Sequence, residues 1–332
     1  MLKHGSLSRR QMLAGASIAA AGVAGLRVPA ASAKMPMQTE NAPYLYRFML
    51  GKAEVTVVSD GVLPIGAPEG AFAHITKDEI DRELKENFLP LNNVVLEQNV
   101  LVLNTGDRVV LFDTGMGSVK LFGPTTGQLM KTLAAAGING KDVDAVVMSH
   151  AHIDHCGGIM ADDGTRNFPN AQLYISEADF NYWTDPQKVG PKLKPFLDQA
   201  TKNLSPNKDR IHFYKDGEEF LPGIHAIADY GHTVGHTVFM IDQDGQQLCY
   251  TADMAHHPVL LLEHPRTQFA YDTDPAMAAE SRVKVLDMLA HDRVPILAYH
   301  FPWPGIGHVE AEGDGYRFLP APMHLGGAPA PI

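Results

Sequence analysis

Residues 149–158, SHAHIDHCGG, set three histidines and an aspartate within six consecutive positions directly after the strand-like run VDAVVM at 143–148. At a strand end followed by a turn, His150 and His152 point one way while Asp154 and His155 swing around the same point, so one stretch can serve two metal ions. Neutral imidazoles and a carboxylate suit Zn, Mn, Fe or Co, and Gly157-Gly158 allow backbone to pack closely behind. A hydrophilic loop with accidental histidines is a poor account of four ligands in six positions.

Around this stretch the chain alternates short strand and helix patterns. FMLGKAEVTVVSDG, VVLEQNVLVLNTG and DRVVLFDTG are rich in Val and Leu, end in turn residues and read as successive antiparallel strands. Helices are expected over 78–88, over TTGQLMKTLAAAG closed by Gly137, over 177–183, over 192–203 and over 275–289. Further strands fall at AQLYIS, 224–229, 237–242, 247–251 and VPILAYH. Two rounds of strands and helices without an internal Pro/Gly/Ser-rich linker predict one α+β domain, residues 45–332, of two sheets flanked by helices.

Residues 1–33 read as an export signal and 34–44 as a linker. Lys3, Arg9 and Arg10 precede a short Ala/Gly-rich apolar stretch that ends in Ala31-Ser32-Ala33, and Arg9-Arg10 resembles a twin-arginine signal. The stretch is too short and too weakly apolar for a stable membrane anchor, so a periplasmic or secreted protein using the twin-arginine machinery is expected. Cleavage after Ala33 removes Lys3, Arg9, Arg10 and Arg27 and no acids, taking the formal charge from -11 to -15. That charge, with no basic cluster, argues against a nucleic-acid partner. Cys156 and Cys249 sit in apolar strand contexts and read as unpaired small hydrophobes.

The motif His150-x-His152-x-Asp154-His155 resembles the signature of the metallo-β-lactamase superfamily, and the resemblance extends along most of the chain after the signal. It implies a four-layer αββα sandwich. Within VLFDTG, Asp113 matches a carboxylate that orients ligands from behind. GHTVGH supplies His232, YTADM supplies Asp253, and the AYHFPWPG stretch supplies His300. The resemblance then implies a first metal on His150, His152 and His232, a second on Asp154, His155 and His300, and Asp253 bridging them. Spacing alone leaves His232 and His236 equivalent, and likewise Asp253 and its neighbours His256 and His257. By the resemblance His236, His256, His257 and His308 are supporting residues, and His74, His212 and His291 are surface or packing residues.

The C-terminal stretch and LFGPTTG (121–127) look closest to the methyl parathion hydrolase branch, with Ile153 where that branch commonly has Pro. This implies an aromatic rim of Phe122, Trp183 and Phe196 around a small-molecule pocket, and a homodimer; the run 259–262 suits an interface or the core. Two divalent ions, zinc ahead of Mn, Co or Fe, with a bridging hydroxide imply a hydrolase of ester-like bonds in small apolar molecules: a lactone, an aryl ester or a phosphotriester. Asp154 or Asp253 is the expected proton shuttle. No Gly-x-Ser-x-Gly elbow competes as a nucleophile motif. The alternatives are a β-lactamase or glyoxalase II-type thioesterase and, in other classes, a mononuclear-iron sulfur dioxygenase or a non-catalytic metal-binding protein.

Overall fold

The first strand-rich run is a hairpin, not one strand. Gly51 adopts φ +57°, and a Cβ there would lie 2.2 Å from the Gln243 carbonyl oxygen, so the chain turns where only glycine fits. In the computed structural model, which describes residues 44–324, strand β1 (Leu45–Leu50) thus folds back on β2 (Ala53–Gly66). The export signal and all of the linker but Tyr44 lie outside the described residues.

The hairpin opens a seven-stranded sheet. β2 pairs antiparallel with β4 (Val94–Asn104), β4 antiparallel with β5 (Val109–Phe112), and β6 (Ala145–Val147), β7 (Gln172–Ser176) and β8 (Ile211–Tyr214) then add in parallel. A second seven-stranded sheet is built from β9 (Glu219–Leu221), β10 (Ile224–Ala228), β11 (Thr237–Gln243), β12 (Gln246–Ala252), β14 (Ile296–Ala298), β15 (Ile306–Glu312) and β16 (Gly315–Pro320). Its order is β16-β15-β14-β12-β11-β10-β9, and only β12 and β14 run parallel. The β15–β16 hairpin has no counterpart among the sequence-based expectations. The two-residue strands β3 (Phe72–Ala73) and β13 (Gln268–Phe269) pair apart from both sheets.

The sheets face each other. Phe112 on β5 packs 5.7 Å from Phe239 on β11 and 5.4 Å from Tyr250 on β12, ring centre to ring centre. Every residue of β6 is buried, so its sheet is covered on both faces. The helices are α1 (Lys77–Glu86), α2 (Leu129–Ala135), α3 (Ile153–Cys156), α4 (Glu177–Trp183), α5 (Lys194–Leu204) and α6 (Pro275–Asp292). α2 packs on β2, α4 on β7 and α6 on β15, giving the αββα sandwich of the α+β class.

Helix starts follow local chemistry. Thr76 and Glu79 satisfy each other's backbone N–H in a capping box that opens α1, and Asp274 caps α6 with Pro275 in its first turn. Residues 259–262 are buried and belong to the core, while Cys156 and Cys249 are both unpaired and buried. Among the described residues no helix is long and apolar enough to cross a membrane.

Candidate metal centre

Strand direction gathers the site at one edge of the sandwich. Asp113 follows β5 and the His150–His155 stretch follows the parallel β6; Asp253 follows β12 and His300 follows the parallel β14. β11 runs antiparallel to β12, so His232 just before it comes down beside Asp253. Residues from both sheets therefore converge at strand ends, where backbone is free to turn and side chains are free to bind. The one-turn helix α3 starts after His152 and rotates Asp154 and His155 away from it.

His150, His152, His232 and Asp253 form one group of buried donors, and Asp154, His155 and His300 another; within each, the donor atoms lie within 4.8 Å of one another. His232 Nε2 lies 2.9 Å from His152 Nδ1, 3.2 Å from His150 Nε2 and 3.1 Å from Asp253 Oδ2. The other carboxylate oxygen, Asp253 Oδ1, faces His155 Nε2 at 3.1 Å, and His300 Nε2 lies 3.3 Å from both oxygens of Asp253. His155 Nε2 and Asp253 Oδ1 are buried without a hydrogen-bond partner. Buried donors and acceptors are ordinarily satisfied, so two orphaned atoms only 3.1 Å apart fit a bound cation. The chemistry of the set fits as well: imidazole and carboxylate are ligands for a divalent transition metal.

The imidazoles divide in protonation. Burial pushes His155 and His232 down, but the carboxylates beside them outweigh it and raise His155 well above the usual range and His232 to about 9, so a bound cation has to displace a proton from each. Burial holds the His150 and His152 imidazoles well below their usual range, so both are neutral. Burial pushes the Asp154 and Asp253 carboxyls up, but His155 and His300 outweigh it: Asp154 comes down to about 2 and Asp253 falls well below the usual carboxylate range. Both stay ionised.

The outward ring nitrogens are fixed by acceptors, which aims the inward lone pairs. His155 Nδ1 lies 2.9 Å from Asp113 Oδ2, His232 Nδ1 2.9 Å from Asp272 Oδ1, and His300 Nδ1 donates to the Glu97 carbonyl at 2.8 Å. Asp113 also accepts from Ser149 N–H, Ser149 Oγ–H and Tyr250 O–H, each at 2.8 Å, and Ser149 Oγ in turn lies 3.0 Å from His150 Nδ1. Asp179 ties the two ligand loops together by accepting from Ala151 N–H at 2.7 Å and Gly235 N–H at 2.8 Å. Ser149, Asp179 and Asp272 carry no sequence signal of their own; they sit in ordinary strand-end, helix and loop contexts.

The histidine ambiguities resolve by orientation. His236 turns away from the donor groups: its Nδ1 faces Asp229, and its Nε2 accepts from the Asp253 backbone N–H at 3.1 Å. His257 Nδ1 accepts from the backbone N–H groups of Val259 and Leu260. His256, expected to play a supporting part, does more, because its Nε2 lies 3.0 Å from Asp253 Oδ2, it forms a further donor group with Asp253 and His300, and it lines the cleft. His308 is half-buried on β15, His74 and His291 are exposed, and His212 lies against Tyr174.

A cleft opens over the donors, with Asp154, Asp253, His152, His232, His256 and His300 on its floor. Its walls are the aliphatic Leu63, Ile65 and Leu96 and the aromatic Phe122, Phe196, Phe269 and Tyr271. Trp183, expected on the rim, is corrected to a packing residue: it is fully buried and absent from the cleft wall, edge-on to His152 at 4.8 Å. Asp179, Phe180 and Trp183 form the inner face of α4, so helical spacing overrides the polar residues flanking Trp183 in sequence.

A family model described as the metallo-beta-lactamase superfamily matches residues 93–313. AidC, a dizinc quorum-quenching lactonase, is 28% identical, and the match covers 85% of this chain and 99% of that one with a TM-score of 0.80. The hydrolase AbOPH of the beta lactamase superfamily is also 28% identical, over 86% of this chain and 100% of that one, TM-score 0.79. An RNase J-like protein of Methanocaldococcus jannaschii is 27% identical over 148 residues, 44% of this chain; the chain spans only 30% of that relative's length. A probable metallo-hydrolase of Mycobacterium tuberculosis is 23% identical over 221 residues, 58% of this chain and 68% of the relative. These relatives do not support the narrower placement in the methyl parathion hydrolase branch. With the family model spanning the strands and loops that carry every donor, the chain belongs to the metallo-β-lactamase superfamily.

Proposed function

We propose that the protein is a binuclear metal-dependent hydrolase that cleaves ester-like bonds in small apolar substrates, lactones first among them, with aryl esters and phosphotriesters behind. The observation that carries this reading is Asp253: Oδ2 lies 3.1 Å from His232 Nε2 of the first group, Oδ1 lies 3.1 Å from His155 Nε2 of the second, and His300 Nε2 lies 3.3 Å from both oxygens. A bridging carboxylate is what two neighbouring cations require. Both groups are built from side chains that suit zinc, and a dizinc lactonase among the similar structures supports that choice.

Two divalent ions held here would lower the pKa of water toward neutrality and polarise the carbonyl or phosphoryl group under attack. The chain's own residues supply the rest. Asp113, Asp272 and the Glu97 carbonyl fix the imidazole tautomers, so no reorganisation is needed when substrate arrives. The apolar wall excludes water and holds an acyl chain or an apolar leaving group, leaving the polar bond over the floor. Asp154, ionised and on that floor, takes the proton of the attacking water and returns it to the leaving oxygen as the C–O or P–O bond breaks.

The test is metal analysis of purified protein, then a hydrolysis panel of N-hexanoyl-homoserine lactone, an aryl ester, a phosphotriester and a β-lactam, with Asp154→Ala as control. Two metal equivalents and lactone turnover lost in the control are expected. One iron per chain with oxygen uptake on a persulfide, or β-lactam turnover alone, would replace this reading. Periplasmic export and a homodimer belong to the same proposal and are read by cell fractionation and by the solution mass of the purified protein.

A further inference from the structure

A buried carboxylate that the chemistry above does not use lies where strand β2 is interrupted. Between Ser59, opposite Asn99, and Val62, opposite Glu97, β2 carries one residue more than β4, so Asp60 and Gly61 form a bulge. Gly61 sits at φ +106°, and a Cβ on it would lie 1.9 Å from the Thr125 carbonyl oxygen. Bulges bend a strand and re-aim the side chains beyond them. Here those side chains include Leu63 and Ile65, both on the cleft wall.

Asp60 is fully buried, and its oxygens collect backbone N–H groups, with the Lys120 ammonium near enough to favour the ionised form. Oδ2 accepts from Met116 N–H at 2.8 Å and Gly127 N–H at 3.0 Å, and Oδ1 accepts from Leu129 N–H at 2.7 Å. Its carbonyl accepts from Gln128 N–H at 3.0 Å. These donors bracket one loop, the segment between β5 and α2, and Phe122 lies at its middle on the cleft wall. Between these two feet the loop is held largely by its own groups, Lys120 bonding the Thr126 carbonyl and Thr126 Oγ1 lying 3.3 Å from the Val119 and Gly123 carbonyls. Outside ties run from Thr125 Oγ1 to the Val62 carbonyl at 2.9 Å and from Ser118 Oγ to Asp162 Oδ1 at 2.5 Å. Gly115 approaches so closely that a Cβ on it would lie 2.3 Å from the Asp60 carboxyl carbon.

We propose that Asp60 is a positioning residue for substrate selection, holding the 116–129 loop so that Phe122 closes the apolar end of the cleft. This rests on the proposed lactone chemistry for its substrate but on the hydrogen bonds alone for its geometry. An ionised carboxylate accepting three backbone N–H groups is a rigid anchor, because each bond is charge-assisted and all are shielded from water. No step of the reaction passes through Asp60, so its loss falls on binding of apolar substrate rather than on turnover.

The experiment compares wild type, Asp60→Asn, Phe122→Ala and the double variant. The probes are N-hexanoyl-homoserine lactone and γ-butyrolactone, which lacks an acyl chain. For the hexanoyl lactone, Asp60→Asn is expected to raise KM about fivefold with kcat within about twofold, the loss of one well-made acceptor. γ-Butyrolactone is expected to shift less than about twofold, and in the Phe122→Ala background Asp60→Asn is expected to change neither KM by more than about twofold. Amide exchange across 116–129 should accelerate in Asp60→Asn and stay unchanged in Phe122→Ala.

Equal losses on both lactones, or an undiminished effect without Phe122, would overturn the proposal, as would unchanged exchange in that loop. If the wild type hydrolyses neither lactone, the lactone reading of the proposed function fails, while exchange still decides whether Asp60 holds the loop. Should Asp60→Asn not fold, Thr125→Val cuts the exposed tie to Val62 and is expected to raise the hexanoyl KM about twofold, again only when Phe122 is present.

Discussion

Replacing Asp113 by Asn separates the two donor groups. Asp113 lies at φ +62°, a conformation Asn tolerates and Ala does not, and it accepts four hydrogen bonds. Alanine would leave at least the Ser149 N–H and Tyr250 O–H buried and unpaired, about 2–6 kcal/mol before any backbone strain, enough to threaten folding. Asparagine keeps the Oδ1 acceptor for Ser149 N–H and puts an NH2 where Oδ2 was. The Ser149 and Tyr250 hydroxyls can turn and accept from it. His155 cannot comply so easily: its Nδ1 must become an acceptor, which forces its proton onto Nε2, the atom 3.1 Å from Asp253 Oδ1. A protonated Nε2 is no ligand. Ser149 Oγ has lone pairs for both the amide and His150 Nδ1, so the first group keeps its tautomers. Asp113→Asn is therefore expected to weaken one metal equivalent about 10–100-fold, about 1.4–2.8 kcal/mol, and to leave the other nearly unchanged. Competition with a chromophoric chelator, followed by metal analysis, reads the two equivalents separately. Parallel weakening of both, or of neither, would refute the tautomer argument.

Burial raises Asp60 from 3.8 to about 6, against the opposing pull of the Met116, Leu129 and Gly127 N–H groups and Lys120. Its folded value lies above its unfolded one, so the folded state takes up a proton first as pH falls; wild type should gain up to about 3 kcal/mol relative to Asp60→Asn between about pH 6 and pH 4. Urea unfolding of both proteins at several pH values checks this, and a constant difference across the window contradicts it. Trp183→Phe gives up no hydrogen bond, since Nε1 has none. It should cost under about 2 kcal/mol in urea unfolding and leave the hexanoyl-lactone KM within about twofold, whereas Trp183→Ala should cost about 3–5 kcal/mol. Chelation should lower the melting temperature measured by calorimetry, because an ion present at a thousandfold its Kd contributes about 4 kcal/mol to the folded state.

The donor side of the site was legible because its residues are chemically conspicuous. Four ligands crowded after a strand pattern already point to a metal centre where that strand ends, and the family resemblance selects His232, Asp253 and His300 from their neighbours. The residues that aim those ligands were legible only in part: Asp113 lies within a recognisable segment, but Asp272 is an ordinary loop aspartate until the fold brings it 2.9 Å from His232. Apolar positions were the weakest point. Phe122, Phe196 and Trp183 are equally aromatic in sequence, yet Phe122 on its loop and Phe196 on α5 line the cleft, while Trp183 is turned into the core with the inner face of α4. The bulge at Asp60-Gly61 left only an Asp-Gly pair, which reads as a turn at the end of a strand.

The donors are drawn from both sheets, His150 to His155 from one and His232, Asp253 and His300 from the other. Ions seated there would act as a cross-brace between two stacked plates, stretched by any slip of one over the other. The inter-sheet filling is then part of the tuning of the centre. Tyr250 makes this concrete, for it rises from the second sheet, packs on Phe112 of the first and bonds the carboxylate behind His155. Substitutions in the middle of the sandwich should thus be felt as changes in metal grip at its rim.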